Sequence, residues 1–261
     1  MMKDKKVVKL RKNNFFKNSI YIPFILIIAT LIILAFSPLF NITEIKVQGN
    51  FRLMENSIIN VSELKLGQNI LRINKNKVKE NIKTLSYVDK VKITRKWPNC
   101  ILISVTEKAE LAKIEVFGSN VVIDENGFVL ESYSDNSILD IPLIENIEIT
   151  SYGVNKTLNS DENEKINNIL EVLKIFKKND MLSIVQKIKS DSGIYIYTND
   201  GHVVSIGDIN DLEYKLKRLK AVIEKEMEGK YYFDISNVNI HPISKPLWTF
   251  TEEKNADEVI E

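Results

Sequence analysis

From residue 18 to residue 43 the chain carries no charged side chain, and within that window Ile20 to Phe40 holds fourteen Ile, Leu or Phe residues. A helix over those residues is about 31 Å long at about 1.5 Å per residue, enough to cross the hydrocarbon core of a bilayer. On an insertion scale the fourteen side chains favour the membrane by roughly 4 to 8 kcal/mol. Pro23 and Pro38 lie near the two ends, where a lost backbone hydrogen bond costs least. The pattern predicts a transmembrane helix over residues 20–40. A cleavable signal peptide is the alternative, but its apolar stretch is usually about 7–15 residues. The best cleavage site here, Ala35-Phe36-Ser37, also puts Pro38 directly after the cut.

Charge sets the orientation. Residues 1–17 carry seven basic side chains against Asp4, and after the span the first basic residues are Lys46 and Arg52. The positive-inside rule therefore keeps a basic tail, residues 1–19, in the cytoplasm and places residues 41–261 outside. The bilayer is the expected partner of the helix, with a weaker attraction of the tail to anionic head groups. Residues 18–261 are net acidic by 29 basic to 34 acidic side chains, without basic and aromatic residues interleaved, which argues against a nucleic-acid partner.

The exported part reads as α+β. Ile42, Ile45 and Val47 alternate up to a turn at Gly49-Asn50, giving a first strand. A helix is predicted from Met54 to about Leu64, with Ile58, Ile59 and Val61 inward. Gly67-Gln68-Asn69 breaks the chain. Asn74 then caps a second helix carrying Val78, Ile82 and Leu85. Val91 and Ile93 mark one strand, Trp97-Pro98-Asn99 a turn, and Ile101, Ile103 and Val105 the next strand. This βααββ order packs two helices on one face of a three-stranded sheet, a domain expected over residues 41–109. Gly49 and Gly67 serve backbone conformations that other residues resist, and Trp97-Pro98 is read as a structural turn.

Beyond it, residues 110–250 read as a β-rich domain with two helices. Ile114–Val116, Val121–Ile123 and Phe128–Leu130 form hairpins, through Gly118-Ser119-Asn120 and Asp124-Glu125-Asn126-Gly127. A helix from Ser160 or Asp161 to Asn179 turns Ile166, Ile169, Leu170, Leu173 and Phe176 inward. Strands are predicted at 184–188, 194–198 and 203–206, then a helix at 211–227 with Leu212, Leu216, Leu219 and Ile223 inward. Final strands are expected at 231–235, 238–240 and 247–250. Residues 251–261 form an acidic frayed tail.

Reactive constellations are missing from the sequence. Cys100 has no second cysteine for a disulfide and is read as a half-buried side chain. His202 and His241 stand alone, each a surface or edge-strand histidine without a second ligand at metal spacing. Asp124-Glu125-Asn126-Gly127 lacks the register and terminal Glu of a calcium loop and reads as a turn. Gly67 and Gly207 lack a phosphate-loop lysine. No metal, cofactor or small-molecule substrate is expected.

Several motifs together resemble the bacterial division family called FtsQ in some organisms and DivIB in others. In the first exported domain these are Ile45-Lys46-Val47-Gln48-Gly49-Asn50, Gly67-Gln68-Asn69-Ile70, Arg95-Lys96-Trp97-Pro98 and Ile101 to Lys108, similar to that family's POTRA domain. Val122-Ile123-Asp124, Ile141-Pro142, Asp200-Gly201, Ile206-Gly207 and Tyr232-Phe233-Asp234-Ile235 resemble its second domain. Lys108 stands where the family typically has Arg, Leu111 replaces a nearby Pro, and Ser236 stands where Arg is frequent. The resemblance implies a non-enzymatic scaffold at the division septum. Such a scaffold holds two single-pass proteins, of FtsL type and of FtsB or DivIC type, in the complex that controls septal wall synthesis. The candidate contact is the C-terminal end of the second domain, where Tyr232, Phe233, Val238, Ile240, Trp248 and Phe250 gather large apolar groups suited to an interface or to closing the core. Rival readings are a membrane-anchored cell-envelope enzyme using Glu107/Glu110 or Asp124/Glu125, and a secretion or assembly factor.

Overall fold

The computed structural model describes residues 21–134, 139–191, 193–223, 229–237 and 243–246. The predicted span begins outside them. Its described part is a helix, α1, Tyr21–Ala35, about 22 Å long, and among the described residues no helix is long and apolar enough to cross a membrane. The helix stops short of the expected Phe40. Pro38 has no N–H to extend the ladder and disfavours helix at Ser37; the chain tightens instead into a 3-10 turn, Pro38–Phe40, capped by the Ser37 hydroxyl.

Two compact units follow. The first comprises residues up to Ile82 with Lys90–Thr106, the second Lys83–Asp89 with the chain from Glu107 on.

In the first unit β1 (Glu44–Gln48), α2 (Glu55–Ser62), α3 (Lys75–Ile82), β2 (Val88–Lys96) and β3 (Cys100–Glu107) follow the expected βααββ order. The sheet order is β1-β3-β2. β1 runs parallel to β3, with Ile45 opposite Ile101 and Val47 opposite Ile103, because two helices carry the chain back before it rejoins the sheet. Ile101, Ile103 and Val105 are buried with Ile42, Ile58, Ile70 and Ile82. The Asn74 carboxamide accepts from the Asn76 and Lys77 amides, capping α3. α2 is shorter than its pattern. The Ser62 hydroxyl donates to the Ile59 carbonyl and accepts from the Leu64 amide, competing with the helix ladder, and Glu63 turns left-handed at φ 57°. Ile58 is buried, while Ile59 and Val61 are half-buried.

Among the described residues the second unit contains one nine-stranded sheet, built from β4 (Ala112–Val116), β5 (Ser119–Ile123), β6 (Val129–Tyr133), β7 (Leu143–Glu145), β8 (Val185–Ser190), β9 (Ile194–Thr198), β10 (Val203–Gly207), β11 (Tyr231–Asp234) and β12 (Ile243–Pro246). The spatial order is β12-β11-β10-β9-β8-β7-β4-β5-β6. Register aligns Phe233, Val204, Ile196, Ile188, Ile144, Ile114 and Val121 across seven strands on one face. These residues share a buried cluster with the apolar stripes of α4 (Asn163–Lys178) and α5 (Leu212–Ile223). The opposite face carries Tyr232, Val203, Tyr197, Lys187, Leu143 and Lys113 in the same rows, each half-buried.

The first hairpin differs from expectation. Its turn is Phe117-Gly118, at φ 51° and 77°, one residue ahead of Gly118-Ser119-Asn120; positive φ at both central residues is what a two-residue turn needs to match strand twist. Ser160 accepts from the Glu162 amide and donates to the Glu148 carbonyl, so it braces the approach to α4 while Glu162 is the capping residue. β7 was not predicted. Three residues are too few to show a period, and its parallel partners β4 and β8 are distant in sequence. The expected strands at 238–240 and 247–250, and the tail at 251–261, lie outside the described residues.

Candidate functional site

β11 sits next to last in the described sheet, parallel to β10 and antiparallel to β12. Its alternation divides the predicted contact residues. Phe233 is 1% exposed and its ring meets the His202 ring edge-on at 5.4 Å and stacks with Tyr231 at 6.1 Å. It belongs to the core and presents no surface. Tyr232 points to the other face, half-buried, where burial, ahead of the nearby Asp234 and Tyr195, pushes its phenol above the ordinary range. Val238, Ile240, Trp248 and Phe250 lie outside the described residues.

Two residues outside the predicted contact set share the face of Tyr232. Tyr195 and Tyr197 sit on β9, half-buried, and the Lys187 and Lys189 ammonium groups stand 5.0 and 5.6 Å from the Tyr197 ring. Glu145 pairs with Lys189 at 2.7 Å and with Lys187 at 3.5 Å. Although burial opposes it, bonding to the two lysines leaves the Glu145 carboxyl below its usual range. The signal was present in Ile194-Tyr195-Ile196-Tyr197, whose period of two sends isoleucine to one face and tyrosine to the other.

β11 is also fixed at its start. His202 is 9% exposed, so it is a core residue, contrary to the surface or edge position expected. Its Nδ1 accepts from the Tyr231 amide at 3.1 Å. A lysine on the apolar side of α5 is also buried: Lys215 is 2% exposed and donates to the carbonyls of Ile206 and Asp208 and to the Asp208 carboxylate at 2.7 Å. That bond, ahead of those from Asn210, holds the Asp208 carboxyl below its usual range. Ser236 donates its amide to the Asp234 carboxylate.

The remaining candidates occupy structural positions. Gly49 and Gly67 adopt φ of 81° and 83°. Trp97 and Pro98 lie in the turn between β2 and β3, with Trp97 57% exposed. The preceding Arg95 donates to the carbonyls of Ile70, Leu71 and Ile73, satisfying the end of a 3-10 turn. Cys100 is half-buried; burial, then the Glu44 charge, pushes its thiol up, away from the reactive thiolate. Asp124 accepts from the Asn126 and Phe128 amides, as a side chain that builds its own turn. The Tyr87 hydroxyl bridges Glu110 and Glu131 at 2.7 and 3.0 Å. Lys108 stands 3.1 Å from the centre of the Phe128 ring, and burial lowers its ammonium, against the charges of Asp124 and Asp89. Among the described residues no group of three or more His, Cys, Asp or Glu is placed to hold a metal ion.

A βααββ unit followed by a sheet-dominated unit defines an α+β protein with the architecture of a POTRA domain joined to a β domain. Residues 40–108 match the FtsQ-type POTRA domain, and residues 114–238 match the C-terminal domain of cell division protein FtsQ/DivIB. Cell division protein DivIB of Clostridium botulinum strain Hall is 29% identical over 235 residues, 88% of this chain and 91% of that one. DivIB of Clostridium tetani is 30% identical over 207 residues, 77% of each chain, and DivIB of Clostridium acetobutylicum 31% identical over 203 residues, 76% of this chain and 80% of that one. The chain belongs to the FtsQ/DivIB family of cell division proteins, as its motifs predicted.

Proposed function

We propose that the protein is a non-enzymatic division scaffold. In this reading α1 anchors it in the plasma membrane with the N-terminus cytoplasmic. Residues 41–109 and 110–250 stand outside as POTRA and β domains, and gather FtsL-type and FtsB/DivIC-type proteins at the septum. The observation that carries the reading is the position of β12. It is the last strand of the described sheet, and among the described residues no strand pairs with its outer edge. An unpaired edge accepts an extended segment by backbone hydrogen bonding, with side chains on the neighbouring faces setting specificity; Tyr232 lies one strand away. The anchor is supported by α1 itself. From Tyr21 to Ile33 its large apolar side chains are exposed, and its Thr30 hydroxyl is satisfied internally on the Leu26 carbonyl. In hydrocarbon, a helix with its backbone satisfied and its side chains apolar is the stable form.

Of the four carboxylates named for the enzyme reading, Asp124 holds a turn together and Glu110 accepts from a tyrosine hydroxyl. Depleting the protein is expected to give filamentous cells with unsplit septa, and a tagged full-length copy to gather at mid-cell. The same copy, extracted in detergent, is expected to retain the two partner types. Uniform envelope labelling with normal division overturns the proposal.

A further inference from the structure

The chain leaving α1 is stitched into the first unit. The Arg72 guanidinium stands 4.4 Å from the centre of the Phe36 ring. The Phe40 ring meets that of Trp97 edge-on at 5.9 Å. Asn41 bridges to Asn69, the Gly67 amide donates to the Ile42 carbonyl, and the Thr43 amide donates to that of Asn99. Three segments, 36–43, 64–72 and 95–99, thus converge at the end of the unit from which α1 departs.

Leu39, Leu66, Leu71 and Trp97 are 55%, 64%, 40% and 57% exposed, close to a well-filled isoleucine core. The three segments also contain Lys65, Arg72, Arg95 and Lys96 and no acidic residue, in an exported region that is acidic as a whole. Glu44 and Glu63 flank the segments and offset part of this charge, leaving a basic excess beside exposed apolar side chains, the composition of an interaction surface. Tryptophan favours the head-group level of a bilayer, and long basic side chains reach head groups while their stems stay apolar.

We propose that this end of the first unit docks on the bilayer from which α1 emerges. Leu39, Leu66, Leu71 and Trp97 enter the head-group boundary, and Lys65, Arg72 and Lys96 contact anionic head groups. The inference rests on α1 being a membrane anchor. A lipid surface is the occupant because the patch is continuous with an apolar helix, and because its charge is complementary to anionic lipid. Each basic residue near such a surface strengthens attraction about fivefold. Docking holds the three-stranded sheet in a fixed attitude to the membrane.

The test uses the full chain reconstituted in vesicles, of phosphatidylcholine alone or mixed with phosphatidylglycerol. The sequence has two tryptophans, so Trp248→Phe leaves Trp97 as sole reporter and Trp97→Phe leaves Trp248 as the control. Docking predicts blue-shifted Trp97 emission, quenched several-fold more by lipids brominated near the head group than at the chain end. The double variant Lys96→Gln, Arg72→Gln should weaken quenching in the anionic vesicles alone. Leu39→Asp with Leu71→Asp should abolish it while the protein still floats with the vesicles and keeps its circular dichroism. Water-like, unquenched Trp97 in protein that floats overturns docking and leaves the anchor standing. Blue-shifted emission insensitive to lipid bromine overturns it in favour of a protein contact. Failure to float overturns the anchor and the docking with it.

Discussion

A Cβ placed on Gly49 would stand 2.2 Å from the carbonyl oxygen of Val105. The backbone at Gly49 also lies in the left-handed region, at φ 81°, so the turn after β1 closes directly onto β3. Gly67 has nearly the same φ, 83°, but open space within 4 Å of its added Cβ. The pair separates two costs. Gly67→Ala is expected to lose about 1–2 kcal/mol, the strain of a left-handed L-residue. Gly49→Ala adds a backbone clash and is expected to lose about 3 kcal/mol or more. Denaturant unfolding of the two variants, followed by a probe in the first unit, checks the difference; equal losses refute it.

Arg95 ties the strand β2 to the 3-10 turn at Ile70–Arg72 through three carbonyls. Arg95→Met removes charged hydrogen bonds worth about 1.5–3 kcal/mol each at most, with partial replacement by water at this half-exposed site. Arg95→Lys restores charge without the fork geometry and should recover less than half the loss. Faster amide exchange across residues 70–73 in both variants is the expected readout.

Local pattern made much of this fold legible. β3 alternates Ile101, Ile103 and Val105 as a half-buried strand must, and α4 repeats Ile166, Ile169, Leu170, Leu173 and Phe176 on its buried side. What stayed hidden depends on partners far away in the chain. β7 exists because β4 and β8 flank it. Lys215 reads as a surface lysine until Ile206 and Asp208 are folded over its ammonium. Phe233 and Tyr232 look alike as interface anchors, and only sheet register shows which one the helices cover.

Lys215 and Asp208 give a pH dependence. The Asp208 carboxyl is held below its usual range by the lysine. A depressed folded pKa gives stability that is complete above the unfolded value, near pH 4, and fades as pH falls through the folded value beneath it. Because the Asp208 side chain is 62% exposed, solvent screening keeps the effect below about 1 kcal/mol. Asp208→Asn should flatten the acid limb of the melting curve below pH 4 and leave its shape at neutral pH unchanged. Lys215→Met withdraws the donor from two carbonyls and should lose about 1–3 kcal/mol at pH 7. An acid limb identical in Asp208→Asn and the parent would show that the pair contributes nothing.

The adjacent residues Tyr232 and Phe233 distinguish an interface from a core. Phe233→Ala empties a site that is 1% exposed and should lose about 3–5 kcal/mol, with partner capture falling because the sheet end unravels. Tyr232→Glu changes the face opposite α4 and α5. It is expected to leave circular dichroism and melting temperature close to the parent while reducing co-purification of the division partners at least about tenfold, as truncating an aromatic anchor does. Tyr195 and Tyr197, in the neighbouring strand on the same face, should give smaller losses of capture with the same intact spectra. If Tyr232→Glu unfolds the unit, its phenol ring is part of the core. If it binds partners as well as the parent, recognition runs through the β12 backbone edge alone, and blocking that edge by proline substitution at Ser244 becomes the decisive comparison.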